Sequence, residues 1–352
     1  MSDAAPLLSV KGLVKHFPVG GSLFGPRLAV RAVDGIDFEV MSGETLGIVG
    51  ESGCGKSTAA RLIMQLMPVT SGEILFDGHR VGSSALPLKD FRRQVQMVFQ
   101  DSYASLNPRL TVEGSIAFGP TVHGLSQKAA IDRAHDLLVR VGLDPKRFAG
   151  RYPHELSGGQ RQRVNIARAL AFEPKLLILD EAVSALDKSV EAQVLNLLLD
   201  LKEQFKLTYV FISHDLDVVR FVANRVLVMY LGRVAEIGPA ANVLGQPAHP
   251  YTQALLASVP SMDPSNRTRE APLTGDPPNP INPPSGCRFH PRCRLVEPIC
   301  SKTEPALDRL APAHRVACHA VNAHSGHTAS HRIASNHTAC NHTASNRAAV
   351  NT

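Results

Sequence analysis

Nine residues, Gly50-Glu51-Ser52-Gly53-Cys54-Gly55-Lys56-Ser57-Thr58, constrain this chain more than any other stretch. They follow the apolar run Leu46-Gly47-Ile48-Val49 and lead into Ala59 to Met67, which is rich in Leu, Ile and Met and reads as a helix. The order is strand, Gly-rich loop, helix, the setting that a phosphate-binding loop requires. Glycines let successive backbone N–H groups turn inward around phosphate oxygens, and the helix N-terminus adds partial positive charge. Lys56 then reaches the β- and γ-phosphates, and Ser57 offers its hydroxyl to Mg²⁺. Taken alone the pattern says only that a triphosphate binds, and the alternative is a chance Gly-rich turn.

With 352 residues, 44% of them hydrophobic, the chain can build one large domain and an appendage. Apolar runs such as Leu176 to Leu179 and Val226 to Tyr230 fall far short of the ~20 residues that span a bilayer. Met1 to Leu8 lacks the basic start and apolar core of a signal peptide. A cytoplasmic location follows, with membrane contact only through a partner. The net charge of +6 is modest and scattered rather than clustered with aromatics, so no nucleic-acid partner is expected. Six cysteines in that compartment are thiols or metal ligands rather than disulfides.

Val10 to Phe17 and Val33 to Val40 read as strands, the second alternating at Ile36, Phe38 and Val40. Phe17 is placed either to stack on a nucleotide base or to fill a core strand. Gly72 to Gly78 reads as a strand and tight turn, Val95 to Phe99 as a short strand ending in Gln100, and Lys128 to Val141 as a helix closed by Gly142. Leu156-Ser157-Gly158-Gly159-Gln160 then opens a helix from Arg161 to Phe172, either as an anion site or as a plain Ser cap. Leu176-Leu177-Ile178-Leu179-Asp180-Glu181 is a buried strand ending in two acids. Behind a phosphate loop, Asp180 suits the Mg²⁺ shell and Glu181 a base for attacking water. Ser184-Ala185-Leu186-Asp187 leads into a helix with Val190, Val194, Leu197, Leu198, Leu201 and Phe205 at helical spacing. Thr208 to Ile212 is a buried strand with Ser213-His214-Asp215 at its end, placing His214 for a γ-phosphate contact.

Together these residues resemble the nucleotide-binding subunit of an ATP-binding cassette (ABC) transporter over roughly residues 7 to 320. Gly50 to Ser57 resembles Walker A, Gln100 the Q-loop, Leu156 to Gln160 the signature, Leu176 to Asp180 Walker B, Glu181 the catalytic glutamate, Ser184 to Asp187 the D-loop and His214 the switch histidine. The resemblance implies an α/β P-loop NTPase fold with an antiparallel β-subdomain and a helical subdomain at about 101–165. It implies catalytic roles for Lys56, Gln100, Glu181 and His214, with Mg²⁺ on Ser57, Gln100 and Asp180. Nucleotide would lie on Phe17, on Gly50 to Thr58, on Gln100 and Asp180, and on Ser157, Gly158, Gly159 and Gln160 supplied by a second ATPase subunit, expected to be a paralogue. Ala182 departs from the family, which usually has proline after the glutamate.

Gln100 to Arg109 is similar to the Q-loop region of oligopeptide and dipeptide importers, whose C-terminal hallmark also appears as His249-Pro250-Tyr251-Thr252 with Leu255-Leu256 and Val259-Pro260. That resemblance implies ATP-driven peptide import at the cytoplasmic face of the inner membrane, with two permeases and a solute-binding protein. Nickel and glutathione importers share the subfamily. A rival of another class is a soluble ABC ATPase acting on nucleic acid or ribosomes, which usually carries two cassettes where this chain has one.

The cassette is expected over 7–260 and a Pro- and Cys-rich extension over 261–320. Cys287, Cys293, Cys300 and Cys318 are separated by five, six and seventeen intervening residues, wider than most zinc modules. The same resemblance, carried by Gly286-Cys287-x-Phe289-x-Pro291-Arg292-Cys293, implies a 4Fe–4S cluster, with zinc or four unligated thiols as alternatives. Cys54, beside Lys56 and a helix N-terminus, is placed for a reactive thiol or as a small filler. From Gly326 a polar five-residue repeat runs towards the C-terminus, and 321–352 is expected to be a disordered tail.

Overall fold

Residues 5–20, 28–259, 273, 275–322 and 324–329 are described by the computed structural model. Residues 21–27, most of the proline-rich stretch before 275 and the repeat beyond 329, with Cys340, lie outside the described residues. Two compact units are distinguished: Met1–Val14, Gly35–Val49 and Lys56–Asn224 in the first, and Lys15–Asp34, Gly50–Gly55 and Arg225–Thr352 in the second. Residues 225–259 therefore group with the C-terminal segment, not with the body of the expected cassette.

Strands β1 (Leu8–Val19) and β2 (Leu28–Val40) run through both units. The first unit continues with β3 (Thr45–Val49), α1 (Lys56–Ile63), β4 (Ser71–Phe76), β5 (His79–Arg80), α2 (Leu88–Gln94), β6 (Val95–Val98), α3 (Val112–Val122), α4 (Gln127–Arg140), α5 (Pro145–Phe148), α6 (Gly158–Leu170), β7 (Leu176–Asp180), α7 (Lys188–Phe205), β8 (Thr208–Ile212) and α8 (Leu216–Val222). In it β3, β8, β7 and β6 lie side by side and parallel. Every residue of β3, β7 and β8 is buried, which explains why these strands read as continuous apolar runs rather than alternating ones. A smaller antiparallel sheet joins β1 to β4 and β4 to β5. Helices α3, α4 and α6 pack on one another, as the apolar face of Ala130, Ala134, Leu137 and Leu138 requires.

The parallel register sets the carboxyl ends of β3, β7 and β8 next to each other: Ile48 pairs with Ile212, and Asp180 with Ile212. Ligands of open α/β sheets bind outside such strand ends. Asp180-Glu181 and His214 therefore emerge at one edge because of strand order, not sequence distance.

The second unit contains β9 (Arg225–Tyr230), β10 (Arg233–Pro239), α9 (Ala240–Gly245), α10 (Pro250–Ala257), α11 (Pro298–Lys302), β11 (Asp308–Ala311) and β12 (His314–Val316). β9 and β10 form a hairpin, and β12 pairs with both β10 and β11. Ala320 and Val321 join Ala248, Val316 and Cys318 in a buried cluster against which Leu295, Leu310 and Ala329 pack. His327 is buried, with Nε2 2.7 Å from the Leu295 carbonyl. Within the span expected as a tail, 321–352, residues 321, 322 and 324–329 are described, and Val321 and His327 among them are buried.

Candidate functional site

In the first unit, Lys56 opens α1 and is 5% exposed, and the Ser57 hydroxyl donates to Asp180 Oδ1 at 2.8 Å. The helix thus begins inside the phosphate loop, three residues before the expected Ala59. Asp180 closes β7 and is 2% exposed. Burial pushes its carboxyl above the ordinary aspartate range, against the Ser57 hydrogen bond and the charges of Arg61 and Lys56. A buried carboxylate beside a serine hydroxyl is a donor pair suited to a divalent cation.

The next residue, Glu181, has φ of +48°, a left-handed conformation unusual for a residue with a side chain. Its N–H donates to the Ile212 carbonyl at 3.0 Å, and the Ser184 hydroxyl donates to its carbonyl, also at 3.0 Å. That turn brings three expected residues together: Gln100 Nε2 donates to Glu181 Oε2 at 2.8 Å, and His214 Nδ1 lies 3.5 Å from the same oxygen. His214 is exposed at the end of β8, free to meet a ligand. Buried Ala182 stands where the family usually has proline, and the turn forms without it.

Ser157 caps α6, accepting from Gln160 N–H, while Gln160 Oε1 accepts from Ser157 N–H at 3.0 Å. This reciprocal cap starts the helix at Gly158, three residues before the expected Arg161. Three arginines of this helix brace loops: Arg161 donates to Leu156 O, Arg163 to Val141 O, and Arg168 to Ser105 O in the Q-loop segment.

The second unit holds the phosphate loop proper. At Gly50 (φ +148°) a Cβ would lie 2.2 Å from the Met229 carbonyl, and at Gly55 (φ +108°) 2.2 Å from the Ala32 carbonyl. Any side chain there would push the loop off its support. Ser52 and Gly53 are exposed at the loop tip, and Cys54 is 3% exposed. Burial of Cys54 favours the filler reading over the reactive-thiol one. Glu51, the loop's second residue, is held twice: its N–H donates to the Tyr251 hydroxyl at 2.8 Å, and its carboxylate takes two hydrogen bonds from Arg292. No local sequence signal joins Glu51 to Arg292, 241 positions away. Phe17, near the end of β1, is half-buried with the Lys15 ammonium 5.1 Å from its ring centroid.

Tyr251 belongs to His249-Pro250-Tyr251, and a buried carboxylate fixes that motif. Glu236, fully buried on β10, accepts from the Ala248 and His249 N–H groups at 2.9 and 3.0 Å and pairs with His314 at 2.8 Å. Burial opposes its charge, yet these hydrogen bonds hold it below the usual glutamate range. His249 caps α10 by accepting from Tyr251 N–H, which requires a neutral ring, and burial pushes its pKa down to about 4. A depressed histidine stabilises the fold above its unfolded pKa, and that contribution is lost as pH falls towards the folded value. Stability should therefore fall between about pH 6.5 and 4 by an amount on the order of 3 kcal/mol from His249. The lowered Glu236 adds to the loss below the normal glutamate range. Melting temperatures across that range check this, and His249→Asn, which keeps a capping acceptor, should flatten the limb.

Cys287, Cys293, Cys300 and Cys318 all line one cavity of about 10 Å³, room for one water, with His290 and His319 at its wall. Burial pushes the Cys287 thiol up to about 11 and Cys318 to about 12, and raises Cys293, with neighbouring thiols adding to it. Among the described residues, no three His, Cys, Asp or Glu side chains are arranged to hold a metal ion. The four thiols expected to act as ligands thus converge on one cavity.

A family model described as "ABC transporter" matches residues 33–184, and one described as "Oligopeptide/dipeptide transporter, C-terminal region" matches 235–300. The "Probable peptide ABC transporter ATP-binding protein y4tS" of Sinorhizobium fredii is 51% identical over 323 residues, covering 91% of this chain and 90% of the relative. The chain belongs to the ABC transporter family. Among other relatives of this ABC protein, the "Oligopeptide transport ATP-binding protein AppF" of Bacillus subtilis is 50% identical, covering 89% of this chain and 97% of that one. The "Di/tripeptide transport ATP-binding protein DppF" of Pseudomonas aeruginosa is 46% identical with the same coverages. A solved structure of cbiO1 from Clostridium perfringens, part of the transporter complex cbiONQ, aligns with a TM-score of 0.59 at 30% identity, covering 68% of this chain and 91% of that one. The ATP-binding cassette MJ0796, solved as a dimer bound to ADP and Pi, aligns with a TM-score of 0.58 at 30% identity, covering 66% and 98%. The chain is therefore an ABC-type ATPase. Among the described residues no helix is long and apolar enough to cross a membrane.

Proposed function

We propose that this ABC ATPase energises the import of di- and oligopeptides, working with two permeases, a solute-binding protein and a second ATPase subunit, at the cytoplasmic face of the inner membrane. The observation that carries the reading is the pairing of a cassette with an oligopeptide/dipeptide C-terminal region in one chain. Relatives at 46–51% identity that are named for peptide or oligopeptide transport support it. The cassette is assigned to 7–260 and the Cys-bearing extension to 261–320.

In the mechanism, N–H groups of the Gly50 to Gly55 loop other than those of Glu51 and Cys54, which are engaged by Tyr251 and within the loop, hold the phosphates together with the Lys56 ammonium. Ser57, Asp180 and Gln100 would hold Mg²⁺, which when bound would neutralise phosphate charge and polarise the γ-phosphate. Glu181 accepts a proton from the attacking water, with its carboxylate aimed by the Gln100 amide and by His214. His214 then contacts the γ-phosphate. Lys56 and His214 leave one flank of that phosphate open, and the Ser157 to Gln160 turn of the second subunit closes it.

Four thiols on one cavity match a 4Fe–4S cluster in kind and number, and no step of hydrolysis runs through that site. Protein purified without oxygen should contain iron and sulfide and show visible absorption bleached by dithionite. Absence of all three excludes the cluster and leaves zinc or unligated thiols.

Cargo is tested by uptake of a labelled tripeptide into cells with and without the chain, competed by unlabelled dipeptide, glutathione or Ni²⁺. Loss of uptake without the chain, its return with wild type but not Lys56→Ala, and competition by peptide alone are expected. Competition by glutathione or Ni²⁺ alone would reassign the cargo, and uptake independent of the chain would overturn the reading.

A further inference from the structure

Arg292 has no place in the hydrolytic set, yet its guanidinium is directed at the phosphate loop. Its Nη1 donates to Glu51 Oε2 at 2.8 Å and its Nη2 to Glu51 Oε1 at 3.1 Å, the two-pronged geometry that fits a carboxylate best. Nη1 also reaches the Tyr230 hydroxyl at 3.3 Å. The pair is largely shielded from water, with side chains 6% and 20% exposed. An exposed ion pair contributes little, whereas removing one partner of a shielded pair leaves a charge uncompensated.

The segment that carries Arg292 is itself anchored. Phe289 packs against Tyr230 and Tyr251 with ring centroids 5.3 and 5.4 Å apart. Arg288 is buried and donates to Asp34 and to the Leu231 carbonyl. A short turn from His290 to Arg292 fixes the direction of the Arg292 side chain. Tyr251, packed on Phe289, accepts from the Glu51 N–H, so the backbone and the carboxylate of one loop residue are gripped from the same anchored surface. A residue 241 positions away thus supplies a rigid outer brace for the loop.

We propose that Arg292 is a positioning residue of the nucleotide site: by clamping Glu51 it holds Gly50 to Gly55 in the phosphate-binding conformation, so that the C-terminal segment sets how tightly the cassette holds nucleotide. The clamp acts on the bound ground state and transition state alike. Loosening it weakens binding and leaves the chemical step almost untouched. The inference rests on the nucleotide-site reading above.

The test uses the full chain and a fluorescent ATP analogue with Mg²⁺, alongside steady-state hydrolysis. Arg292→Gln should raise both the analogue's Kd and the KM for ATP about 10-fold while kcat changes less than about 2-fold. Glu51→Gln should do the same, and the double variant should be no weaker than either single one, because both remove one interaction. Arg292→Lys keeps the charge but not the fork, and should recover only part of the affinity. Arg294→Gln, at an exposed neighbouring position, should bind as wild type does. If Arg292→Gln does not fold, the double variant, free of an uncompensated charge, decides the matter by the same Kd. Wild-type affinity in the folded Arg292 and Glu51 variants, losses that multiply in the double variant, or a fall in kcat at constant KM would each overturn the assignment. Failure of the wild type to bind the analogue would instead overturn the nucleotide-site reading.

Discussion

Glu181→Gln is expected to lower ATP turnover by about 10³-fold while leaving ATP affinity within a few-fold of wild type. Glu181 Oε2 is the point on which Gln100 and His214 converge, at 2.8 and 3.5 Å. An amide keeps the size and the left-handed backbone of the turn but cannot take a proton from water. Because the loss falls on the chemical step alone, the variant should accumulate with ATP bound and with two subunits closed on it. Phosphate release, nucleotide binding and sedimentation of the same preparation check the three parts. Turnover near the wild-type rate would remove Glu181 from the mechanism.

Asp180→Asn separates stability from function. Burial raises the Asp180 pKa, so the ionised carboxylate costs the folded chain stability at neutral pH, and that cost disappears below the unfolded pKa. Asparagine removes the cost and can still accept from Ser57. The melting temperature of the nucleotide-free variant should therefore equal or exceed that of wild type at pH 7, with the difference vanishing in acid. Saturating Mg²⁺-ATP should behave in the opposite way. At about 100 times Kd it stabilises wild type by about 2.7 kcal/mol, and the variant should lose most of that stabilisation together with turnover. Thermal melts with and without Mg²⁺-ATP at two pH values check this, and an undiminished Mg²⁺-ATP shift would exclude Asp180 from the cation site.

The residues of the hydrolytic set were legible because their signals are local. A Gly-rich loop between an apolar strand and a helix, two acids closing a buried strand, and a histidine closing another each announce themselves within ten residues. What the sequence could not carry is pairing at a distance. Glu236 meets His314 across 78 positions and Arg292 meets Glu51 across 241, and no periodicity or spacing links either pair. Helix starts were misplaced by three residues at Lys56 and Gly158, since in both cases the loop feeding the helix supplies its first turn. The left-handed backbone of Glu181 was also invisible, because glutamate carries no preference for that conformation. For the cysteines, sequence indicated a shared site, and the fold places all four on one cavity.

The most direct test couples the two halves of the proposal in one vesicle. The assembled transporter is reconstituted in proteoliposomes, with the peptide-binding side facing the medium and ATP inside, and phosphate release and uptake of a labelled tripeptide are followed together. Uptake that rises and falls with hydrolysis, and the loss of both in Glu181→Gln, is the expected result. Peptide uptake that persists while Glu181→Gln abolishes hydrolysis, or hydrolysis that never moves peptide, would contradict it.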